Sequence, residues 1–205
     1  LPLKPFPEKP ALLDFDSDEL GLDWNFVQLP EQRNYSLSER SGYLRLKGSA
    51  ETLQKQKTST FVGRRLKHHY FTATTQLEFD PNGENEEAGL ILLNNGSHFD
   101  VLIRNKEGKR ILVVKLQFGQ TIYTSEEIAL KPGPVKLRVR GEKSSFTFSY
   151  AQGEDPFTDV ETVDAKFLAT ETVGYFTGVY VGLYATGNGK ASSASADYNW
   201  FEYQV

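Results

Sequence analysis

Cysteine is absent from the 205-residue chain, and with it go disulfides, thiolate metal centres, iron–sulfur clusters and cysteine nucleophiles. A chain without thiols suits a reducing bacterial cytoplasm and an oxidising periplasm equally. Methionine is also missing and the first residue is Leu1, so the sequence reads as a piece of a longer protein. No apolar run approaches the ~20 residues of a spanning helix, and no signal-peptide pattern is seen, so a membrane partner is not expected. The excess of acidic side chains, a net charge of −4, argues against nucleic acid, whose binding rests on neutralising phosphates. A 3.6-residue apolar period is sustained nowhere, which leaves room for no more than a short helical turn within residues 157–168. Motifs of enzyme chemistry are missing too. There is no HExxH and no GxSxG, and Gly187-Asn188-Gly189-Lys190-Ala191 lacks the first glycine and the hydroxyl of a phosphate loop.

What is present is alternation. Tyr43-Leu44-Arg45-Leu46, Phe71 through Phe79, Val135 through Arg140 and Phe146 through Tyr150 place apolar residues at every second position. That is the period of strands with one buried face. Asn95-Gly96 lies between two apolar runs and supplies the positive φ angles of a tight hairpin. Glu107-Gly108 and Gly141-Glu142-Lys143 punctuate later pairs, and Lys131-Pro132-Gly133-Pro134 stops regular structure. About twelve short strands without crossover helices imply an all-β fold, two antiparallel sheets packed as a sandwich. Residues 1–11, with Pro2, Pro5, Pro7 and Pro10, read as a Pro-rich linker, and residues 12–205 as a single β-sandwich domain.

Candidate chemistry is sparse. Carboxylates that cleave a glycosidic bond must flank it at ~5–9 Å, and sandwich enzymes carry them alternately on one strand; no Glu-x-Asp-x-Glu strand occurs here. Glu86-Glu87 and Glu126-Glu127 are adjacent pairs and read as solvated. His68, His69 and His98 read as structural or solvent-facing, since neighbours on a strand face opposite ways. Asp14-Phe15-Asp16-Ser17-Asp18 opens like a calcium loop, but Glu19 and Asn25 stand where the helical loop needs glycine and glutamate. A Ca2+ site of another kind, joining Asp14 to Asp197 across paired terminal strands, is one reading; turn-forming and strand-capping aspartates are the other. One of Arg64 and Arg65 must face the core or a groove, either pairing with Glu87 or touching a ligand. The run from Gly174 to Tyr184 spaces aromatics between glycines, which suits a kinked core strand or a sugar platform.

These segments, taken in order, resemble one module. Phe15-Asp16 with Leu20 and Trp24, Tyr43-Leu44-Arg45-Leu46, Phe61-Val62-Gly63-Arg64-Arg65, Glu87-Ala88-Gly89-Leu90, Gly174-Tyr175-Phe176-Thr177-Gly178 and Ala196-Asp197-Tyr198-Asn199-Trp200 are similar to the C-terminal sandwich of family 43 glycoside hydrolases of the β-xylosidase/α-L-arabinofuranosidase type. The resemblance implies a concanavalin A-like jelly roll, and a catalytic β-propeller upstream that carries all the catalytic carboxylates. It implies that an aromatic on a sandwich loop, here Tyr175 with Phe176 beside it, closes one side of the propeller's pocket over a xylo-oligosaccharide or arabinoside. It implies calcium near Asp14 and Asp197, although Tyr198-Asn199 departs from the commoner Phe-Asp. A homo-oligomer through the parent enzyme also follows from it. The alternative expectation is an independent carbohydrate-binding module, holding xylan fragments through Arg64 or Arg65, Glu87 and the aromatics. On either reading this chain alone has no catalytic residues.

Overall fold

A computed structural model describes residues 11–55, 58–174 and 177–205. In chain order the strands are β1 (Leu12–Leu13), β2 (Asn25–Phe26), β3 (Tyr35–Ser36), β4 (Leu44–Lys47), β5 (Thr60–Arg65), β6 (Phe71–Glu78), β7 (Glu87–Asn94) and β8 (Ser97–Lys106). They continue as β9 (Lys109–Phe118), β10 (Thr121–Thr124), β11 (Ile128–Ala129), β12 (Val135–Gly141), β13 (Ser145–Gln152), β14 (Thr158–Asp164), β15 (Tyr180–Thr186) and β16 (Ser195–Gln204). One helix, α1 (Thr170–Val173), precedes β15. The chain forms two eight-stranded antiparallel sheets. Sheet I runs β14-β13-β12-β6-β16-β4-β3, with β1 beside β16, and sheet II runs β10-β9-β8-β7-β15-β5-β2, with β11 beside β9. This is the expected sandwich. The exception is residues 157–168, read as at most a helical turn: most of them form β14, and only Ala165–Leu168 coils into a 3-10 turn. Thr158-Asp159-Val160 has the β-branched character of an edge strand, and pairing with β13 decides the outcome.

The alternation seen in the sequence is the inside–outside pattern of each strand. Leu44, Leu46, Phe71, Leu77, Leu90, Leu92, Val101, Leu137, Phe148 and Leu183 fill the space between the sheets. Tyr198 points inward from sheet I and brings its hydroxyl within 2.9 Å of the Gly89 carbonyl and 2.8 Å of the Tyr184 carbonyl on sheet II. Its burial therefore leaves no unsatisfied polar atom and ties the two layers together. The Asn95-Gly96 turn has positive φ at both residues, 49° and 85°, as a two-residue hairpin between right-twisted strands requires.

Sheet II is apolar on its outer face as well. Phe61, Ile91, Leu93, Leu102, Ile111, Val113 and Tyr184 form a second cluster there, and Leu53 joins it from the segment between β4 and β5. Every residue of β7 is consequently buried, which explains why Leu90-Ile91-Leu92-Leu93 is a continuous apolar run rather than an alternating one.

Candidate functional site

The antiparallel order sends the connecting loops to two ends of the sandwich. At one end lie residues 66–70, 95–96, 119–120, 142–144, 165–174 and 177–179, together with the close of β16. The Tyr203 amide donates to the carbonyl of Ala11 at 2.8 Å, so the first described residue is at this end too. Residues 165–174 and 177–179 lie along it as the two sides of a strap. It starts where Asp164 caps the 3-10 turn by accepting from the Lys166 amide at 2.8 Å. Leu168, fully buried, pins it to the core, and α1 then stops at Gly174, whose φ of 81° is the left-handed exit that glycine favours. It rejoins the sheet at Tyr180, which aligns with Leu93 on one side and Arg65 on the other.

Two polar side chains hold the strap. Arg65 donates through Nη1 to the Thr177 carbonyl and through Nη2 to the Tyr180 hydroxyl at 3.0 Å, with its guanidinium 4.9 Å from the Tyr180 ring centroid. Gly178 has a φ of 71°, a left-handed conformation that favours glycine, and a β-carbon there would press on Arg65 Nη1 at 2.7 Å. From the neighbouring strand the buried Asn94 accepts from the Thr177 hydroxyl at 2.7 Å and donates to the Leu168 carbonyl at 2.7 Å. Hollows flank the strap. One, of about 310 Å³, is floored by Val27, Leu53, Phe61, Leu93 and Tyr180. The other, of about 460 Å³, has a floor of Leu66, Phe146, Leu168 and Val179 and a rim that includes Lys67, Lys143 and Lys166.

The expected site residues are distributed unevenly around this end. Tyr175 and Phe176 belong to the strap by sequence and lie outside the described residues. Arg65 is at the site. Arg64 faces the other way, pairing with Asp23 at 3.3 Å rather than with Glu87. Glu87 aligns with Thr186, whereas Arg65 aligns with Tyr180, which separates the two by about 20 Å along β15 at ~3.3 Å per residue. Its carboxylate binds Lys115 at 2.7 Å and approaches Arg104 at 3.6 Å. Burial works to raise the Glu87 carboxyl, but the Lys115 charge and hydrogen bond, with Asn188 and Arg104, hold it below the usual carboxylate range. Glu86 and Glu87, read as solvated, are both buried.

Asp14 and Asp197 do not fit a calcium ion. Leu12 and Leu13 pair with Glu202 and Phe201, a register that carries Asp14 toward Trp200 and short of Asp197. The Asp197 oxygens accept from Arg45 Nε at 2.7 Å, Arg45 Nη2 at 2.8 Å and Arg40 Nη1 at 2.9 Å. Burial acts to raise this carboxyl, and the two guanidiniums hold it low. A divalent cation would have to displace two cations already bonded to the same group. Among the described residues no group of three or more His, Cys, Asp or Glu is placed to hold a metal. The nearest approach to alternating carboxylates, Asp159 and Glu161 on β14, is bonded to Arg140 and Ser149 and to Tyr123 respectively.

Asn94 escaped the sequence reading because it was absorbed into the Asn-Gly turn. The available signal was a carboxamide ending an apolar run, a residue that burial tolerates only with partners for both its ends.

Comparison with known proteins agrees with this geometry. A family model described as the beta xylosidase C-terminal concanavalin A-like domain matches residues 13–204. The chain is 34% identical to the non-reducing end alpha-L-arabinofuranosidase BoGH43B of Bacteroides ovatus, over 100% of this chain and 39% of that protein. It is 30% identical to a xylan 1,3-beta-xylosidase of a Vibrio species, over 99% of this chain and 39% of the relative. A solved structure described as the Bacteroides ovatus xyloglucan PUL GH43B superposes with a TM-score of 0.95 at 34% identity, covering 100% of this chain and 41% of its own. The chain thus spans about two fifths of the length of the relatives it matches.

Proposed function

Because this chain belongs to the family of β-xylosidase C-terminal concanavalin A-like domains, we propose that it is the non-catalytic sandwich of a family 43 glycoside hydrolase and supplies one wall of a sugar pocket in an upstream catalytic β-propeller. The observation that carries this reading is the location of the strap. The segment bearing Tyr175 and Phe176 springs from the same end of the sandwich as Ala11, so a domain preceding residue 11 meets the strap rather than the far end. The hollows beside the strap and the fully exposed Leu22 give that domain apolar surface to cover. Tyr175 then stacks against the apolar face of a xylosyl or arabinofuranosyl ring, and its hydroxyl adds a polar contact.

Tyr175→Ala in the parent enzyme should raise KM for an aryl β-xyloside or α-L-arabinofuranoside about tenfold, the equivalent of ~1.4 kcal/mol of binding, with no change in melting temperature. An unchanged KM overturns the reading. Calorimetric titration of this chain with xylo-oligosaccharides should give no binding tighter than millimolar; micromolar affinity would instead support an independent carbohydrate-binding module.

A further inference from the structure

We propose that the outer face of sheet I binds a saccharide carrying a carboxylate, such as a uronic acid, through Lys136, Arg138 and Arg140 of β12. This strand alternates strictly: Val135, Leu137 and Val139 enter the core, so the three cations project together from the opposite face. Such a row is out of keeping with a chain whose net charge is −4, and its members repel one another unless anions intervene. The adjoining strands supply mostly uncharged groups. Thr72, Thr74 and Gln76 align with the row on β6, and Thr147 and Ser149 align with Arg140 and Arg138 on β13. Lys136 donates to a carbonyl, that of Gly153, at 3.2 Å. One carboxylate, Asp159 of β14, serves both arginines. It accepts from Arg140 Nη2 at 2.9 Å and from the Ser149 hydroxyl at 2.7 Å, leaving Arg138 beyond hydrogen-bond reach at 3.9 Å. Glu161 is engaged by Tyr123. Glu202 aligns with Thr74, two strands or ~10 Å from Arg138. The Nε atoms of Arg138 and Arg140 are both buried without a partner among the described residues. Burial, and then the charge of Arg140, pull the Arg138 guanidinium below its usual value, with Asp159 opposing them. The arginine pair is short of negative charge.

The rest of the face suits a sugar. The Arg138 guanidinium lies 3.8 Å from the centroid of the Phe157 ring, a stack that holds the planar fork flat for bidentate capture of a carboxylate. Its side chain keeps 20% of its surface open, and that of Arg140 keeps 42%. Trp200 alternates with the buried Phe201 and aligns with Gln76, which aligns in turn with Lys136. It is half-buried, and an indole on a polar face is a platform for the apolar side of a pyranose ring. Trp200 and Lys136 stand two strands apart, ~10 Å, a span that two linked sugar rings cover. The row ends at Arg140, beside Gly141 and the 142–144 loop of the strap end.

The test is calorimetric titration of this chain with a xylo-oligosaccharide bearing one glucuronic acid branch, and with the same compound after its carboxyl is reduced to the alcohol. The acid should bind about tenfold tighter than its reduced form, and the gap should close as salt is raised to ~1 M. Arg138→Gln and Arg140→Gln should each remove most of the gap. Arg138→Lys, which keeps the charge without the fork, should keep only part of it. Lys136→Gln alters a solvent-facing group and leaves the fold undisturbed, so a narrowed gap there excludes misfolding as the cause. Lys109→Gln, in the exposed β8–β9 turn, should leave the gap whole. Equal affinity for the two forms, or no binding of either, overturns the inference. A gap that survives the substitutions at 136, 138 and 140 overturns it as well, because the carboxylate is then recognised elsewhere. If free glucuronate or inorganic sulfate binds as tightly as the branched oligosaccharide, the face takes any anion and a saccharide is the wrong occupant. None of these outcomes bears on the proposed function, which turns on the strap.

Discussion

The two ends of the sandwich solve their polar accounting in opposite ways. At the far end, loops 79–86 and 187–194 meet around a single carboxylate. Glu86 accepts from the backbone amides of Asn82 at 2.6 Å, Gly83 at 3.1 Å, Ser193 at 2.6 Å and Ala194 at 3.2 Å. The hydroxyls of Ser192 and Ser193 add bonds of 3.0 Å each. Both oxygens of Glu86 are thereby occupied. At the strap end the polar groups hold one segment in place and leave apolar hollows on either side of it. A closed network around a buried charge makes for stability, while a braced segment between uncovered hollows makes for contact with something else.

The far end should therefore dominate stability. Burial acts to raise the Glu86 carboxyl, but the amides of Gly83, Ser193, Asn82 and Ala194 bring it down to about 2, from an ordinary 4.5. A group depressed on folding stabilises the protein above its unfolded value and loses that contribution as pH falls through its folded value. Glu86 then contributes ~3 kcal/mol near neutrality, and this should disappear between pH 4.5 and 2. Glu86→Ala leaves buried amides without an acceptor, so it should cost about 3–5 kcal/mol and lower the melting temperature by roughly 10 °C. Calorimetry across that pH range checks both, because the variant should lose much of the wild type's acid dependence. A shift of under 2 °C would erase the contrast between the ends.

Asp197 comes next. Asp197→Ala leaves Arg40 and Arg45 facing each other beside Glu78, at a cost of about 2–3 kcal/mol. Wild-type melting in calcium should match melting in chelator. A calcium-dependent rise that vanishes in Asp197→Ala would return the ion to the site and place a functional group outside the strap end.

The sequence's legibility divides along the same line as the molecule. Strands, hairpins and the two-layer core were readable because periods of two and an Asn-Gly turn are local signals, and β12, β13 and the β7–β8 hairpin fall where they predict. The outer apolar face of sheet II was not readable, because it exists only once Leu53 folds back from a distant loop. The partners of charged residues were unreadable for the same reason. Arg64 finds Asp23 rather than Glu87, Asp197 finds Arg40 and Arg45, and Glu86 finds amides more than a hundred residues away. Adjacency in the chain suggested solvent for both glutamate pairs, which holds for the exposed Glu126 and Glu127 and not for the buried Glu86 and Glu87; only tertiary pairing distinguishes them. The strap stands between these cases, since glycines at 174 and 178 marked it while its braces, Asn94 and Arg65, come from strands remote in sequence.

The smallest change expected in stability is the sharpest test of the contrast. Arg65 is exposed at the edge of the strap and its bonds compete with water, so Arg65→Lys should alter stability by less than ~0.5 kcal/mol. Lysine keeps the charge but not the planar fork that reaches the Thr177 carbonyl and the Tyr180 hydroxyl together. If the strap end serves contact rather than stability, KM in the parent enzyme should rise about threefold, a difference of ~0.65 kcal/mol, while the melting temperature stays within 1–2 °C. Glu86→Gln at the far end should do the reverse, lowering the melting temperature and sparing KM. An Arg65→Lys enzyme with a lower melting temperature and unchanged KM would make the strap another stabilising element, and the two ends would then differ in composition only.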